Sequence, residues 1–262
     1  MIKRLMLLSV MLLGVILVLG VSKVSAAMLD LTTLGSSGTI DNAIFKQFTI
    51  LKTGTGIFDP FLSIKNNGME QGYNTGWREG GGSDKAPFDA FNNDGRTHNL
   101  FLGNLSDNIV NIGGTDYYEF VVDINQAGGT NNLLSLDDIQ IWLSPNAGLG
   151  TETLSGLGTK VYDLNNDYWI KLDAGLSSGS GTGDAAAYIP ISLFEGYIDG
   201  TSVYFYTMFG NQEGFETNDG FEEWGERTGG TTNPPVPEPA TMSLLGIGLL
   251  GLAGFRRKKA SN

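Results

Sequence analysis

The chain has 262 residues, no cysteine and a formal net charge of −12. Seven of its 16 basic residues lie at the two ends; with Glu238 counted in the C-terminal end, the stretch between keeps nine basic against 27 acidic residues, a net charge of −18. That balance argues against nucleic-acid phosphates and anionic membrane surfaces as partners, the missing cysteines exclude disulfides and thiol chemistry, and the acidity suits a soluble surface domain or one that gathers divalent cations.

In chain order, residues 1–27 come first. Lys3 and Arg4 precede an apolar run from Leu5 to Val21, and small residues follow. This is the three-part layout of a secretory signal peptide, with cleavage expected between Ala26 and Met28. Everything beyond it is then exported.

Residues 28–228 are long enough for one domain with a substantial core. The segments "IFKQFTILK", "YYEFVVDI", "DDIQIWLS", "DYWIKLDA" and "SVYFYTMF" are short and rich in β-branched and aromatic residues. Tyr118, Phe120, Val122 and Ile124 recur with period two, as do Ile139, Ile141 and Leu143, so these segments predict strands. Between them, "NNDGR", "NIGGTD", "AGGTNN" and "SSGSGTGD" supply turn residues that tolerate φ > 0. No 12-residue stretch carries a convincing 3.6-residue period. The expected fold is therefore mainly β: a single β-sandwich or jelly-roll-like domain, flanked by an N-terminal signal helix and a short C-terminal transmembrane helix. A short helix is expected at "IPISLFEG" or at "DGFEEWGE". Trp142 falls out of phase with Ile139, Ile141 and Leu143 and is expected to face away from the main core.

Little in this stretch predicts catalysis. His98 is the only histidine, so any Ser-His-Asp triad must use it, and no G-x-S-x-G elbow accompanies it. One histidine without cysteine argues against zinc. Glycoside hydrolysis needs only two carboxylates; Glu216, Glu222 and Glu223 near Trp224 are candidates, but in so acidic a chain any pair is weak evidence. "GFEEWGE" reads better as a domain-closing turn with Phe221 and Trp224 in the core. "GSGTGD" lacks the Lys-Ser/Thr ending of a phosphate-binding loop and is read as a turn. The better site is for calcium. Asp163, Asn165 and Asp167 alternate as in the first half of an EF-hand loop, whereas Tyr168 replaces its turn glycine and Ala174 stands where a bidentate Glu is needed. A calcium-binding β-turn completed by a distant carboxylate is the remaining form of that expectation. "FNNDGR" around Asp94 is a similar candidate and equally an Asn/Asp-Gly turn.

Residues 229–236 form a linker of low hydrophobicity stiffened by prolines. Residues 237–262 then combine Pro237-Glu238-Pro239, an apolar, Gly-rich run from Ala240 to Phe255, and the basic cluster Arg256, Arg257, Lys258 and Lys259. The run is shorter than the roughly 20 residues of a comfortable span, and the basic residues would stop it with only a stub on the cytoplasmic side. The prolines hold the stretch before it extended, a shape that suits a protease cleft. Such a layout is that of a processing signal.

Val236-Pro237-Glu238-Pro239, the span and the basic stop resemble the PEP-CTERM sorting signal of exopolysaccharide-producing Gram-negative bacteria. The resemblance implies recognition and removal of the tail by a membrane enzyme, an exosortase. "GTGIFDPFLSIKNNGMEQGYNT", "YYEFVVDINQ", "LLSLDDIQIW", "GSGTGD" and "GFEEW" also resemble a β-rich ectodomain that often precedes such tails, without a known reaction. The expectation is an exported, non-enzymatic protein, held at the inner membrane as precursor and then placed at the cell surface or in the exopolysaccharide matrix. The alternative is a carbohydrate-binding or carbohydrate-active domain using exposed aromatics such as Trp77, Trp142 or Trp169.

Overall fold

The computed structural model describes residues 26–47, 58–79, 86–91, 95–126, 132–165, 167–176, 183–218 and 220–227. The expected signal helix, linker, sorting motif and C-terminal span lie outside them. No helix among the described residues is long and apolar enough to cross a membrane.

The chain is mainly β. Its strands are β1 (Ala27–Asp30), β2 (Ser37–Ile40), β3 (Ala43–Gln47), β4 (Phe58–Ile64), β5 (Asn67–Gly68), β6 (Glu70–Tyr73), β7 (Leu100–Phe101) and β8 (Ile109–Ile112). The second half adds β9 (Thr115–Ile124), β10 (Leu133–Ser144), β11 (Thr159–Asp163), β12 (Tyr168–Asp173), β13 (Ala185–Pro190), β14 (Ser202–Phe209), β15 (Thr217–Asn218) and β16 (Glu222–Arg227). One sheet runs β1-β12-β10-β14-β6, with β11 also on β10 and β7 on β14. The second runs β2-β3-β13-β9-β16-β4, with β8 on β9, and β15 pairs with β5 in a small ribbon. Ladders are antiparallel except for β1 on β12, where Ala27 to Asp30 lie beside Tyr168 to Lys171.

The two sheets face each other across one apolar cluster. Phe205 on β14 of the first sheet meets Phe61, Phe120 and Trp224, from β4, β9 and β16 of the second, with ring centroids 4.7–5.7 Å apart. Each central strand sends alternate residues there: Tyr118, Phe120, Val122 and Ile124 from β9, and Ile139, Ile141 and Leu143 from β10, are all in the cluster. Fully burying each such side chain contributes about 1.5–3 kcal/mol. The period-two pattern is therefore the pattern of the core.

Two segments differ from expectation. "DGFEEWGE" is no helix or turn: residues 222–227 form β16, sandwiched between β9 and β4. Trp224 is in the core as expected, while Phe221 is half-buried at the strand's start. Cross-strand pairing on both sides outweighs the poor strand preference of consecutive glutamates. In "IPISLFEG" the first residues belong to β13, and only Ile191–Phe194 turn, as a 3-10 segment. The "NIGGTD" turn is where expected: Gly113 and Gly114, at φ 63° and 91°, link β8 to β9, a conformation glycine adopts without a Cβ penalty.

Candidate functional site

Strand pairing places a second, outer row of side chains on the first sheet. In the β10–β14 ladder Trp142 lies opposite Tyr204, Gln140 opposite Tyr206 and Asp138 opposite Met208; β6 adds Tyr73 beside Tyr206 and Gln71 beside Met208. Opposed residues share a face, and these alternate with the core set. Trp142 does face away from the main core. It enters a separate cluster with Tyr73, Leu157, Tyr204 and Tyr206, and is only 8% exposed.

The cover over this cluster is the segment 145–157. The Tyr73 hydroxyl accepts from the Thr151 N–H at 2.9 Å and donates to the Thr151 carbonyl at 2.8 Å. The Tyr204 hydroxyl donates to the Asn146 carbonyl at 2.8 Å and accepts from the Leu149 N–H at 3.1 Å. These bonds hold Leu149, Leu154 and Leu157 down on the rings. A polar row continues along β10: Trp142 Nε1 donates to Gln140 Oε1 at 3.2 Å, and Gln140 Nε2 donates to Asp138 Oδ2 at 2.7 Å. Asp138 is buried, its Oδ1 receives no hydrogen bond, and burial pushes its carboxyl up to about 6. Neither Asp138 nor this polar row is apparent from the sequence, where "DDIQIW" gives only the inner alternation.

The other two tryptophans are half-buried. Gly150 lies flat against the Trp77 ring, where any Cβ would overlap it. Trp169 packs against Phe215 at 5.2 Å, with the Lys171 ammonium 5.5 Å from the Phe215 centroid. Of the three, Trp142 is buried, and the rings of Trp77 and Trp169 are partly covered by Gly150 and Phe215.

The candidate acids do not converge. Glu222 and Glu223 are neighbours on β16 and so point to opposite faces. Glu223 is buried and ion-paired with Arg96, N···O 2.6 Å. Glu216 is exposed, and the Gly214 N–H, donating at 3.0 Å, holds its carboxyl below the usual range. His98 is exposed, with Nδ1 2.9 Å from its neighbour's carbonyl, Asn99 O. Glu222 is fully buried beside Glu70 of β6, which brings together residues far apart in the chain.

Asp163, Asn165 and Asp167 form the β11–β12 connection, and the side-chain oxygens of the first two serve the turn. Asp163 Oδ1 accepts from the Asn165 N–H at 3.0 Å, and Asn165 Oδ1 accepts from the Asp167 N–H at 2.8 Å. Asp163 Oδ2 is ion-paired with Lys160, and Asn165 Nδ2 donates to Asp41 Oδ2 at 2.9 Å. Asn165 has φ 55°, the left-handed conformation that Asn tolerates in turns. Asp163 and Asn165 thus each close an Asx turn, a role that Asp and Asn side chains commonly take. Among the described residues no group of three or more His, Cys, Asp or Glu is arranged to hold a metal. Asp94 lies outside the described residues.

The decisive signal is in the tail. Residues 235–258 match the family model of the PEP-CTERM protein-sorting motif. The match includes Val236, Pro237, Glu238 and Pro239 and the basic residues Arg256, Arg257 and Lys258; Lys259 follows directly. No curated protein and no solved structure matches the chain. The PEP-CTERM motif marks an exported protein that an exosortase sorts through its C-terminal segment.

Proposed function

We propose that this is a non-enzymatic surface or matrix protein whose β-sandwich ectodomain, residues 28–228, is exported behind a cleaved signal peptide. It is held at the inner membrane by its tail, then processed by an exosortase at Pro237-Glu238-Pro239 and placed at the cell surface or in the exopolysaccharide of a Gram-negative bacterium. The PEP-CTERM match carries this reading. The spacing supports it: only residues 229–236 separate the domain from the motif, a reach of at most roughly 25–30 Å even when fully extended. The folded domain therefore stays close to the membrane until it is cut free.

The non-enzymatic part rests on the scattered acids and on His98, whose ring meets only its neighbour's carbonyl among the described hydrogen bonds. The covered rings of Trp142 and Trp77 favour this reading over sugar stacking.

The test replaces Pro237, Glu238 and Pro239 with Ala in the native cell. The expected outcome is an unprocessed precursor in the inner membrane and loss of surface display, reproduced in a strain without the exosortase. Unchanged mass and location in both would overturn the proposal and leave a plain membrane anchor. N-terminal sequencing of the displayed protein is expected to begin at Ala27 or Met28.

A further inference from the structure

One end of the sandwich is set apart by what it exposes. Six large apolar side chains are exposed among the described residues: Met28, Leu34, Met69, Ile109, Tyr197 and Ile198. The first three are on separate stretches, at β1, before β2 and before β6. The last three gather at one end. Ile109 pairs with Tyr118 across β8 and β9. The Tyr118 ring lies 5.0 Å from that of Phe194, and the Tyr197 N–H donates to the Phe194 carbonyl at 3.3 Å. The Gly103 N–H donates to the Asp199 carbonyl at 2.9 Å. That bond fastens the turn 195–201 to the 3-10 segment Leu102–Asn108, which leads into Ile109.

The chain leaves for its tail from the same end. Strand β13 runs from Ala185 beside Val122 to Pro190 beside Tyr117, so the turn 195–201 follows at the Thr115 end of β9. Strand β16 runs the same way, from Glu222 beside Ile124 to Gly225 beside Val121, and its last residue, Arg227, lies further toward that end. The segment Leu102–Asn108 lies against both β9 and β16. Only residues 228–236 stand between Arg227 and Pro237. They reach at most about 30 Å, less than the roughly 40 Å across a domain of this size.

Turn tips are ordinarily built from Gly, Pro, Asn, Asp and Ser, yet here Tyr197 and Ile198, 37% and 75% exposed, stand at the tip. The Thr201 N–H donates to the Ile198 carbonyl at 2.9 Å, and the Ile198 N–H donates to Thr201 Oγ1 at 3.3 Å. The backbone around the apolar pair is therefore already set before anything binds. A rimmed apolar patch marks contact with a protein or a membrane, and the short tether selects the membrane, which it keeps within reach of this end. Tyrosine suits the headgroup level. Glu195 and Asp199, exposed on either side, disfavour anionic lipid, so neutral, zwitterionic headgroups fit. The contact can be small. A single acyl chain holds a free protein only marginally, but a tether supplies a high effective concentration.

We propose that Ile109, Tyr197 and Ile198 dock this end of the domain on a zwitterionic lipid surface while the tail is anchored, so that the domain stands on the membrane in one orientation until it is cut free. This rests on the reading of the tail as a membrane anchor processed by an exosortase.

The test uses the full-length chain in phosphatidylcholine vesicles that carry a nitroxide-labelled lipid. The chain has no cysteine, so Gly200→Cys places one fluorophore beside the patch; position 200 is exposed, and a Cβ there meets nothing within 4 Å. Thr33→Cys, exposed beside Leu34, gives the comparison. It belongs to the other end: the neighbouring Gly35 N–H donates to Gln47, which pairs with Ala185 at the start of β13. Quenching by the lipid is expected to be several-fold stronger at position 200 than at position 33. Ile109→Ser, Tyr197→Ser and Ile198→Ser together should lower it at 200 to the level at 33. Flotation with the vesicles and the melting temperature should not change, because all three side chains are exposed. Equal quenching at the two positions, in a chain that floats with the vesicles, overturns the lipid contact and leaves the tail reading standing. Strong quenching at 200 that survives the triple variant overturns the assignment to these residues. A chain that does not float overturns the tail reading and this contact with it.

Discussion

The β11–β12 turn and the Glu70–Glu222 pair place acidic side chains in opposite circumstances. In the turn, Asp163, Asn165 and Asp167 crowd into five residues, and the side-chain oxygens of Asp163 and Asn165 are engaged by the turn's own N–H groups and by Lys160. In the pair, two glutamates 152 residues apart are fully buried, and burial and Glu70 push the Glu222 carboxyl well above its ordinary range. A spacing motif thus records what the local backbone needs, since Asx turns and half an EF-hand loop ask for the same residues. A crowding of buried acids shows only where distant strands converge.

The buried side should be the more fragile, and removing Trp224 tests that with the largest effect. The ring is in phase with Glu222 on β16, is 1% exposed and lies 4.7 Å from Phe205. Trp224→Ala is expected to cost about 3–5 kcal/mol through lost burial and the cavity left behind. Urea denaturation of the chain checks this. A loss below about 1 kcal/mol would mean that the region around the pair is not a tightly packed end of the core.

Asp138 brings the contrast close to the turn itself, because it is buried while the charge of Asp163 acts on it from nearby. Burial raises its carboxyl to about 6, whereas in the unfolded chain it titrates near about 3.9. The folded state therefore keeps the proton between those values. The stability this contributes is fully present below about pH 3.9 and is lost as pH rises through about 6. Asp138→Asn removes the charge but keeps an oxygen for Gln140. It is expected to stabilise the chain by about 1–3 kcal/mol at pH 7 and to change little at pH 4. Denaturation at the two pH values checks it; equal effects at both would place Asp138 in contact with water.

Much of the fold was legible in the sequence, for a physical reason. Strands β9, β10, β12 and β14 carry their core residues at period two, and those residues fill the space between the sheets. Strand β13 was not legible, because Ala185, Ala186 and Ala187 have no strand signature and take their state from β3 and β9. For β16 the consecutive glutamates pointed away from a strand. They are tolerated because Glu223 finds Arg96 on one face while Glu222 meets Glu70 on the other. Trp142 shows a half-visible case. Its phase gives its direction, but the cover of residues 145–157 depends on tyrosine hydroxyls on β6 and β14 that no local pattern reports. The sorting motif was legible because its recognition is linear, and a short, ordered segment carries it.

The smallest expected effect belongs to the turn and completes the comparison. Asn165 sits at φ 55°, where an ordinary L-residue pays about 1–2 kcal/mol and glycine pays little. Its side chain also caps the Asp167 N–H and reaches Asp41, but the turn is solvent-exposed and water replaces such bonds at small cost. If backbone conformation is what the Asp/Asn/Asp pattern encodes, Asn165→Gly should stay within about 0.5 kcal/mol of wild type and Asn165→Ala should lose about 1 kcal/mol, with or without calcium. A turn built around a cation behaves otherwise: Gly would lose the side-chain oxygen just as Ala does, and the two variants would fall together, only when calcium is present. Melting curves of both variants in calcium and in EGTA separate the cases. A loss shared by Gly and Ala and confined to calcium would place a metal in the turn and overturn the backbone account of the Asp/Asn/Asp pattern.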